Sequence, residues 1–323
     1  MDLDVLMPFH RLDNFLVQAV DSIATNKNVN FRLIAIDDRL DQNTKILEIF
    51  RDIKKVEIVR TEGGTGYGNA LKVGTRVIQA QATALMNSDD IVSPVRFSQQ
   101  LNLLSNADLS ITQIKRIDEN NRKIPSWMGR FDSKFYDPIY LLFGSYGADA
   151  SWCMRTSWWS KNSFFDKEDC LDWRIALKTF DTTKISVADQ DLYFYRKHKS
   201  QITSKRIHSP EHMSKVYESW RVLASKYGFH NNSKSVFNFF ATPWNKKSTL
   251  EYQEAALWVN KLNRIEKEID PNTLANIKKL IYRRFILGAS FNQCSLLSRF
   301  KFGLAGSRSL PLFLVDLSSK ILK

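Results

Sequence analysis

Along the first 200 or so residues the chain alternates between short continuous apolar runs and stretches whose apolar positions recur at helical spacing. Val5-Leu6-Met7 is the first run and is expected to end as a strand at Pro8. Residues 14–25 then carry Phe15, Val17, Val20 and Ile23 on one helical face. A second buried strand is predicted over 31–36, ending on Asp37-Asp38, followed by a helix over 45–53, a strand over 56–60 and a helix over 69–82. The third run, Ala84-Leu85-Met86, stops on Asn87-Ser88-Asp89-Asp90. Strands apolar on both faces, separated by helices, predict a mostly parallel sheet flanked by helices. The acidic pairs 37/38 and 89/90 then fall at its C-terminal edge, where open α/β sheets bind ligands.

The pattern loosens over 110–148, a polar and aromatic stretch with Trp127, Tyr136, Tyr140 and Tyr146 that suits a loop-rich acceptor surface. Strands are predicted over 151–155 and 185–187 with a helix over 171–179 between them. Beyond residue 203 the spacing is helical, over 210–227, 248–269 and 271–287. The second of these helices opens on the capping box Ser248-Thr249-Leu250-Glu251, and the third on Asp270-Pro271. The expected division is an α/β domain over 1–205 and a basic helical region over 206–323.

Charge sharpens that division. The formal net charge is +13. Residues 228–323 hold 15 Lys and Arg against 6 Asp and Glu, a net +9, leaving +4 for the rest. Such an excess attracts phosphate, whether on nucleic acid, an anionic membrane or a diphosphate ligand. Cys153, Cys170 and Cys294 are too few and too far apart for a disulfide framework or a CxxC metal site. The acidic start Met1-Asp2-Leu3-Asp4 is unlike a signal peptide, and no apolar run reaches the ~20 residues of a spanning helix. A cytoplasmic location is expected, with the basic region available to rest on the inner face of the membrane.

Adjacent carboxylates repel one another and lose hydration when buried, so Asp89-Asp90 calls for a cation or several donors. Hard oxygen ligands suit Mg2+ or Mn2+, which often hold a substrate diphosphate. A helix N-cap formed by Ser88 or an Asp is the alternative.

The order of these segments resembles the family 2 glycosyltransferases and their GT-A fold. Val5 through Arg11 resembles the opening strand, Pro and Thr-Tyr-Asn element. Ile34-Ala35-Ile36-Asp37-Asp38 resembles the second-strand VVDD element. The Gly66 to Gly74 stretch resembles the family's Gly-rich turn and helix, and Asn87-Ser88-Asp89-Asp90 its DxDD element. Leu171-Asp172-Trp173 resembles the start of the EDW helix, and Tyr195 through Thr203 the YRxHxxSIS element.

The resemblance implies an inverting transfer of a sugar from a nucleoside diphosphate donor, most often UDP-linked, to a hydroxyl of a glycan or lipid-linked acceptor. It implies donor contacts at Pro8, His10, Asp38, Gly68, Asn69, Lys72, Asn87 and Ser88. A divalent cation, Mn2+ or Mg2+, falls to Asp89 and His198, and Trp173 to the acceptor side. Asp172 matches the base that takes the acceptor proton, with Asp169 one turn upstream as the alternative. Asn87 and Leu171 depart from the family pattern, which has Asp and Glu there. A nucleotidyltransferase on a related sheet, or a basic protein that binds nucleic acid or membrane, are the competing readings. The first lacks a Gly-rich loop after Val5-Leu6-Met7, and no nucleic-acid module is evident, so no nucleic-acid partner is expected.

Overall fold

A computed structural model describes residues 2–26, 28–41, 46–125, 137–145, 147–163, 171–201, 210–229, 234–241, 249–271, 273–275, 277, 278 and 281. Its framework is an eight-stranded sheet in the order β3-β2-β1-β4-β7-β6-β8-β5. The strands are β1 (Leu3–Phe9), β2 (Phe31–Asp37), β3 (Val56–Arg60), β4 (Ala82–Leu85), β5 (Ile91–Val92), β6 (Leu109–Ile117), β7 (Trp152–Arg155) and β8 (Ile185–Arg196). All run one way except β7, antiparallel to β4 and β6, and β5, antiparallel to β8. The expected mostly parallel α/β sheet is present.

Helices α1 (Asn14–Ala24), α2 (Tyr67–Thr75), α3 (Arg96–Leu103), α4 (Thr156–Asn162) and α5 (Leu171–Thr179) belong with the sheet. Asp13 caps α1, its carboxylate accepting from the Phe15 and Leu16 amides at 3.1 Å. β1 is buried throughout and passes Pro8 to end at Phe9; Pro8 is tolerated because the pairing of β4 with β1 stops at Leu6, so no ladder bond on that side is asked of residue 8. The helix expected over 69–82 begins at Tyr67 and stops at Thr75. The last turn tightens over 76–78, and buried Asp4 then keeps the helix from resuming: its carboxylate takes the Gln79 and Ala80 amides at 2.7 and 3.0 Å, and Arg32 pairs with Asp4 while donating to the Val77 carbonyl. Those backbone groups leave the helical ladder for a buried ion pair. Within 45–53 a single 3-10 turn, Leu47–Phe50, replaces the expected helix.

Two expectations for the later strands need correction. The stretch expected to loosen from residue 110 begins as β6, whose polar Gln113, Lys115 and Arg116 masked the strand in the sequence. β8 runs twelve residues rather than three, because a register shift near Thr112 and Gln113 interrupts its apolar pattern. Tyr140 is buried in a 3-10 turn, Pro138–Leu142, rather than displayed on a surface. Trp127, Tyr136 and Tyr146 lie outside the described residues.

The chain divides into two compact units, one of residues 1–134 and 145–215, the other of 135–144 and 216–323. The second contains the helices Pro210–Lys226 from residue 216 on, Lys234–Ala241 and Thr249–Arg264. Its core is aromatic. Trp220 stacks on Trp258 with ring centroids 4.8 Å apart, Phe229 stacks on Trp258 at 4.2 Å, and Phe143 meets Phe240 edge-on at 4.9 Å. The Trp220 indole N–H donates to the Leu142 carbonyl at 3.0 Å and the Tyr227 hydroxyl to Asp137 at 2.5 Å. Those bonds tie the short 135–144 insertion into this unit. Of the helix expected over 271–287, residues 271, 273–275, 277, 278 and 281 are helical and the rest lie outside the described residues.

Candidate active site

Because β1, β2, β4 and β8 are parallel, the segments that follow them emerge at one edge of the sheet. β1 lies between β2 and β4, so the connections leave it in opposite directions, which opens a crevice beyond its C-terminal end. His10 follows β1, Asp38 follows β2, Asn87 through Asp90 follow β4, and His198 follows β8.

The two acids after β2 have different jobs. Asp37 is fully buried in a bidentate pair with Arg39, both contacts at 2.8 Å. Asp38 organises the next loop: it accepts from the hydroxyls of Thr61 and Thr65 at 2.5 and 2.7 Å and from the amides of Thr65 and Gly66, both at 2.9 Å. Burial raises its pKa, but those donors outweigh burial and hold it below the usual carboxylate value. Three of the four bonds fall on one oxygen, leaving the other with spare accepting capacity. Gly63 completes the loop with φ of +83°, where an added Cβ would stand 2.5 Å from the Arg39 carbonyl oxygen. Asn69 donates to the Thr65 carbonyl at 3.0 Å; Gly68 is buried on α2, while Lys72 is exposed.

The acids after β4 also diverge. Asp90 points inward and accepts from the Tyr193 hydroxyl at 2.6 Å, the Arg196 amide at 2.7 Å and the Asn87 side-chain amide at 3.0 Å. Burial, then the Asp89 charge, push its pKa up to about 8 against these donors. Asp89 faces outward with its side chain 23% exposed, and its Oδ2 lies 2.9 Å from His198 Nε2, an imidazole only 1% exposed. Arg196 fastens β8 to this turn by donating to the Asp89 carbonyl at 2.7 Å, and stacks over Phe15 at 4.7 Å. Ser88 is half-buried in the same turn. His10 is exposed between the two acidic turns. Burial and Arg11 lower its pKa, while Asp89, Asp13 and Asp38 pull it back.

Asp172 lies in the first turn of α5, with buried Trp173 beside it. Burial raises its pKa to about 6, opposed by the Trp173 amide and the Ser145 hydroxyl. Asp149, which opens the 3-10 turn before β7, shares this surrounding. Burial and the Asp172 charge raise it to about 7, against the Tyr67 hydroxyl and the Ala150 amide. Sequence reasoning missed Asp149 because it stands in a stretch without periodicity and outside every motif. Asp169, the alternative base, lies outside the described residues.

Among the described residues no group of three or more His, Cys, Asp or Glu side chains is arranged to hold a metal ion. Asp89 Oδ2 and His198 Nε2 are two candidate ligand atoms, 2.9 Å apart. That fits Mg2+ or Mn2+ only in the manner in which such ions share their shell with substrate phosphates and water.

The profile described as Glycosyl transferase family 2 matches residues 4–183. An uncharacterized glycosyltransferase of Methanocaldococcus jannaschii is 24% identical over 123 residues, 36% of this chain and 42% of that protein. One of Haemophilus influenzae is 26% identical over 114 residues, 34% of this chain and 45% of its own length. One of Rickettsia prowazekii is 22% identical over 106 residues, 33% of each. The matches thus span a third to under half of these relatives. Among solved structures, Staphylococcus aureus TarS 1-349 in complex with UDP-GlcNAc superposes with a TM-score of 0.61 at 18% identity, covering 91% of this chain and 92% of that one. At that identity the likeness concerns the fold.

Proposed function

For a chain that belongs to glycosyl transferase family 2, we propose inverting transfer of a sugar from a nucleoside diphosphate donor, UDP-linked in the first instance, to an acceptor hydroxyl. The observation that carries the reading is the convergence of Asp38, His10 and the Asp89–His198 pair at one sheet edge. It is supported by the UDP-GlcNAc complex of the fold neighbour TarS.

The spare oxygen of Asp38 suits the imide N–H of a uracil base. His10, Asn69, Lys72 and Ser88, with the close backbone approach permitted at Gly68, are assigned to ribose and diphosphate. A Mg2+ or Mn2+ ion held by Asp89 and His198 would neutralise charge on the departing diphosphate. Asp172 is the base: it takes the acceptor proton as the hydroxyl oxygen attacks the anomeric carbon. The bond from that carbon to the phosphate oxygen breaks, and its electron pair leaves with the nucleotide, inverting the centre. An Asp raised to about 6 is ionised at neutral pH yet more basic than an ordinary one. Trp173, being buried, would shape the acceptor side from behind α5.

The acceptor class proposed is a glycan or lipid-linked sugar of cell-surface polysaccharide assembly, met at an anionic membrane through the basic region of residues 206–323. No helix among the described residues is long and apolar enough to cross a membrane.

The test is transfer and donor hydrolysis with UDP-, GDP-, TDP- and CMP-sugars plus Mn2+. Asp172→Asn is expected to lower kcat by at least ~100-fold with UDP affinity intact, the scale of lost general-base catalysis. Retained turnover in both Asp172→Asn and Asp89→Ala would reject these roles.

A further inference from the structure

His198 is held from both sides. Nε2 faces Asp89 Oδ2 at 2.9 Å and Nδ1 faces the Ser200 hydroxyl at 2.9 Å. The Phe15 ring packs against the imidazole with centroids 4.8 Å apart, and Phe15 is itself held by the Arg196 guanidinium 4.7 Å over its ring, so packing as well as hydrogen bonding fixes the imidazole. The turn that carries Ser200 is fixed as well: the Gln201 side-chain amide donates to the Arg196 carbonyl at 2.8 Å, and the Lys199 amide to Glu119 at 3.3 Å.

These contacts constrain the ring proton. A carboxylate only accepts, so the contact with Asp89 places a proton on Nε2, and a neutral ring then needs a donor at Nδ1. A divalent cation bound by Asp89 and His198 requires the reverse. Nε2 must offer its lone pair, so the proton sits on Nδ1 and its neighbour must accept. A backbone carbonyl or carboxylate at Nδ1 could serve only the second state. A hydroxyl serves both by rotating.

We propose that Ser200 is the positioning residue that lets His198 pass from a hydrogen-bond donor toward Asp89 to a cation ligand, without the ring moving. One proton leaves Nε2 and one is taken up at Nδ1 through solvent, so the charge of the ring is unchanged and the Ser200 hydroxyl turns from donor to acceptor. This rests on the assignment of Asp89 and His198 to the cation. It predicts that the site exists in two protonation isomers, one suited to the free protein and one to the donor-loaded protein.

The test measures cation binding and ring protonation directly, without turnover. Mn2+ is titrated into the full chain with saturating UDP, and free Mn2+ is read by electron paramagnetic resonance. Ser200→Ala is expected to weaken Mn2+ about tenfold or more, the usual cost of losing such an orienting partner, and Ser200→Thr, which keeps the hydroxyl, to bind like the natural protein. Histidine-labelled protein, with His198 assigned through His198→Ala, is expected by 15N NMR to carry its proton on Nε2 alone and on Nδ1 after UDP and diamagnetic Mg2+ are added. Unchanged Mn2+ affinity in Ser200→Ala, where His198→Ala loses it, overturns the role of Ser200. So does a proton that stays on Nε2 in the loaded protein. If His198→Ala itself binds Mn2+ normally, the cation assignment fails instead.

Discussion

Asp89 and Asp90 are adjacent in the chain and face opposite environments, one partly exposed beside His198, the other inside the sheet with three donors on it. Only the first is exposed where a ligand could reach it. The same separation of roles holds after β2, where Asp38 gathers the loop over 61–66 and Asp37 is closed by Arg39. At Asp149 and Asp172 the environment acts on proton affinity. A carboxyl whose folded pKa lies above its unfolded value contributes stability present below the unfolded value and lost as pH rises through the folded one. For Asp149 that loss runs upward from the ordinary carboxylate range and is complete near pH 7. Asp149→Asn is therefore expected to raise Tm more at pH 8 than at pH 5, as measured by thermal unfolding across that range. A parallel pH dependence in both proteins would contradict the raised proton affinity of Asp149.

At the scale of elements, Arg96 on α3 fastens the end of β4 to the lead-in of β7. It is fully buried, and its guanidinium donates to the carbonyls of Leu85 at 3.0 Å and Ala150 at 2.8 Å and to Gln100 at 2.8 Å, with its face 4.9 Å from the Tyr193 ring. Burial lowers its pKa to about 10. Through these bonds one side chain sets the turn that holds Asp89 and the turn that holds Asp149. Arg96→Met keeps much of the volume but strands several buried acceptors, and is expected to cost about 3 kcal/mol or more, read from urea unfolding. α2 is set with similar closeness: a Cβ on Gly74 would lie 2.3 Å from Ile36 Cδ1, so a larger residue there would force the Ile36 side chain to move. That approach brings Tyr67 and the Gly66 amide to Asp149 and Asp38.

The whole molecule is two units, and the second recruits a ten-residue piece, 135–144, from between β6 and β7. Its aromatic core rests on Trp220, which is fully buried and bonded to Leu142. Trp220→Ala is expected to destabilise this unit by about 3–5 kcal/mol, measurable by tryptophan fluorescence in urea. An effect below about 1 kcal/mol would show that the stacked rings contribute little.

Much of this was readable beforehand, for a physical reason. Strands buried on both faces are apolar without interruption, so β1, β2 and β4 stood out, and the acids that stop them stood out with them. α5, expected over 171–179, occupies those residues because its polar and apolar positions carry the full helical period. β6 and the far half of β8 did not stand out, since polar residues and a register shift break their pattern. The end of α2 was hidden too, because after a last tightened turn a carboxylate 75 residues away in the chain takes the Gln79 amide. By itself, then, the sequence determined the alternating sheet, its acidic edge and the likeness to a family, all of which depend on local periodicity and short motifs. Tertiary structure alone decided which acid of each pair faces the crevice, that Asp149 joins Asp172, and that Ser200 backs His198. Those outcomes depend on contacts between segments distant in the chain, and local pattern carries no record of them.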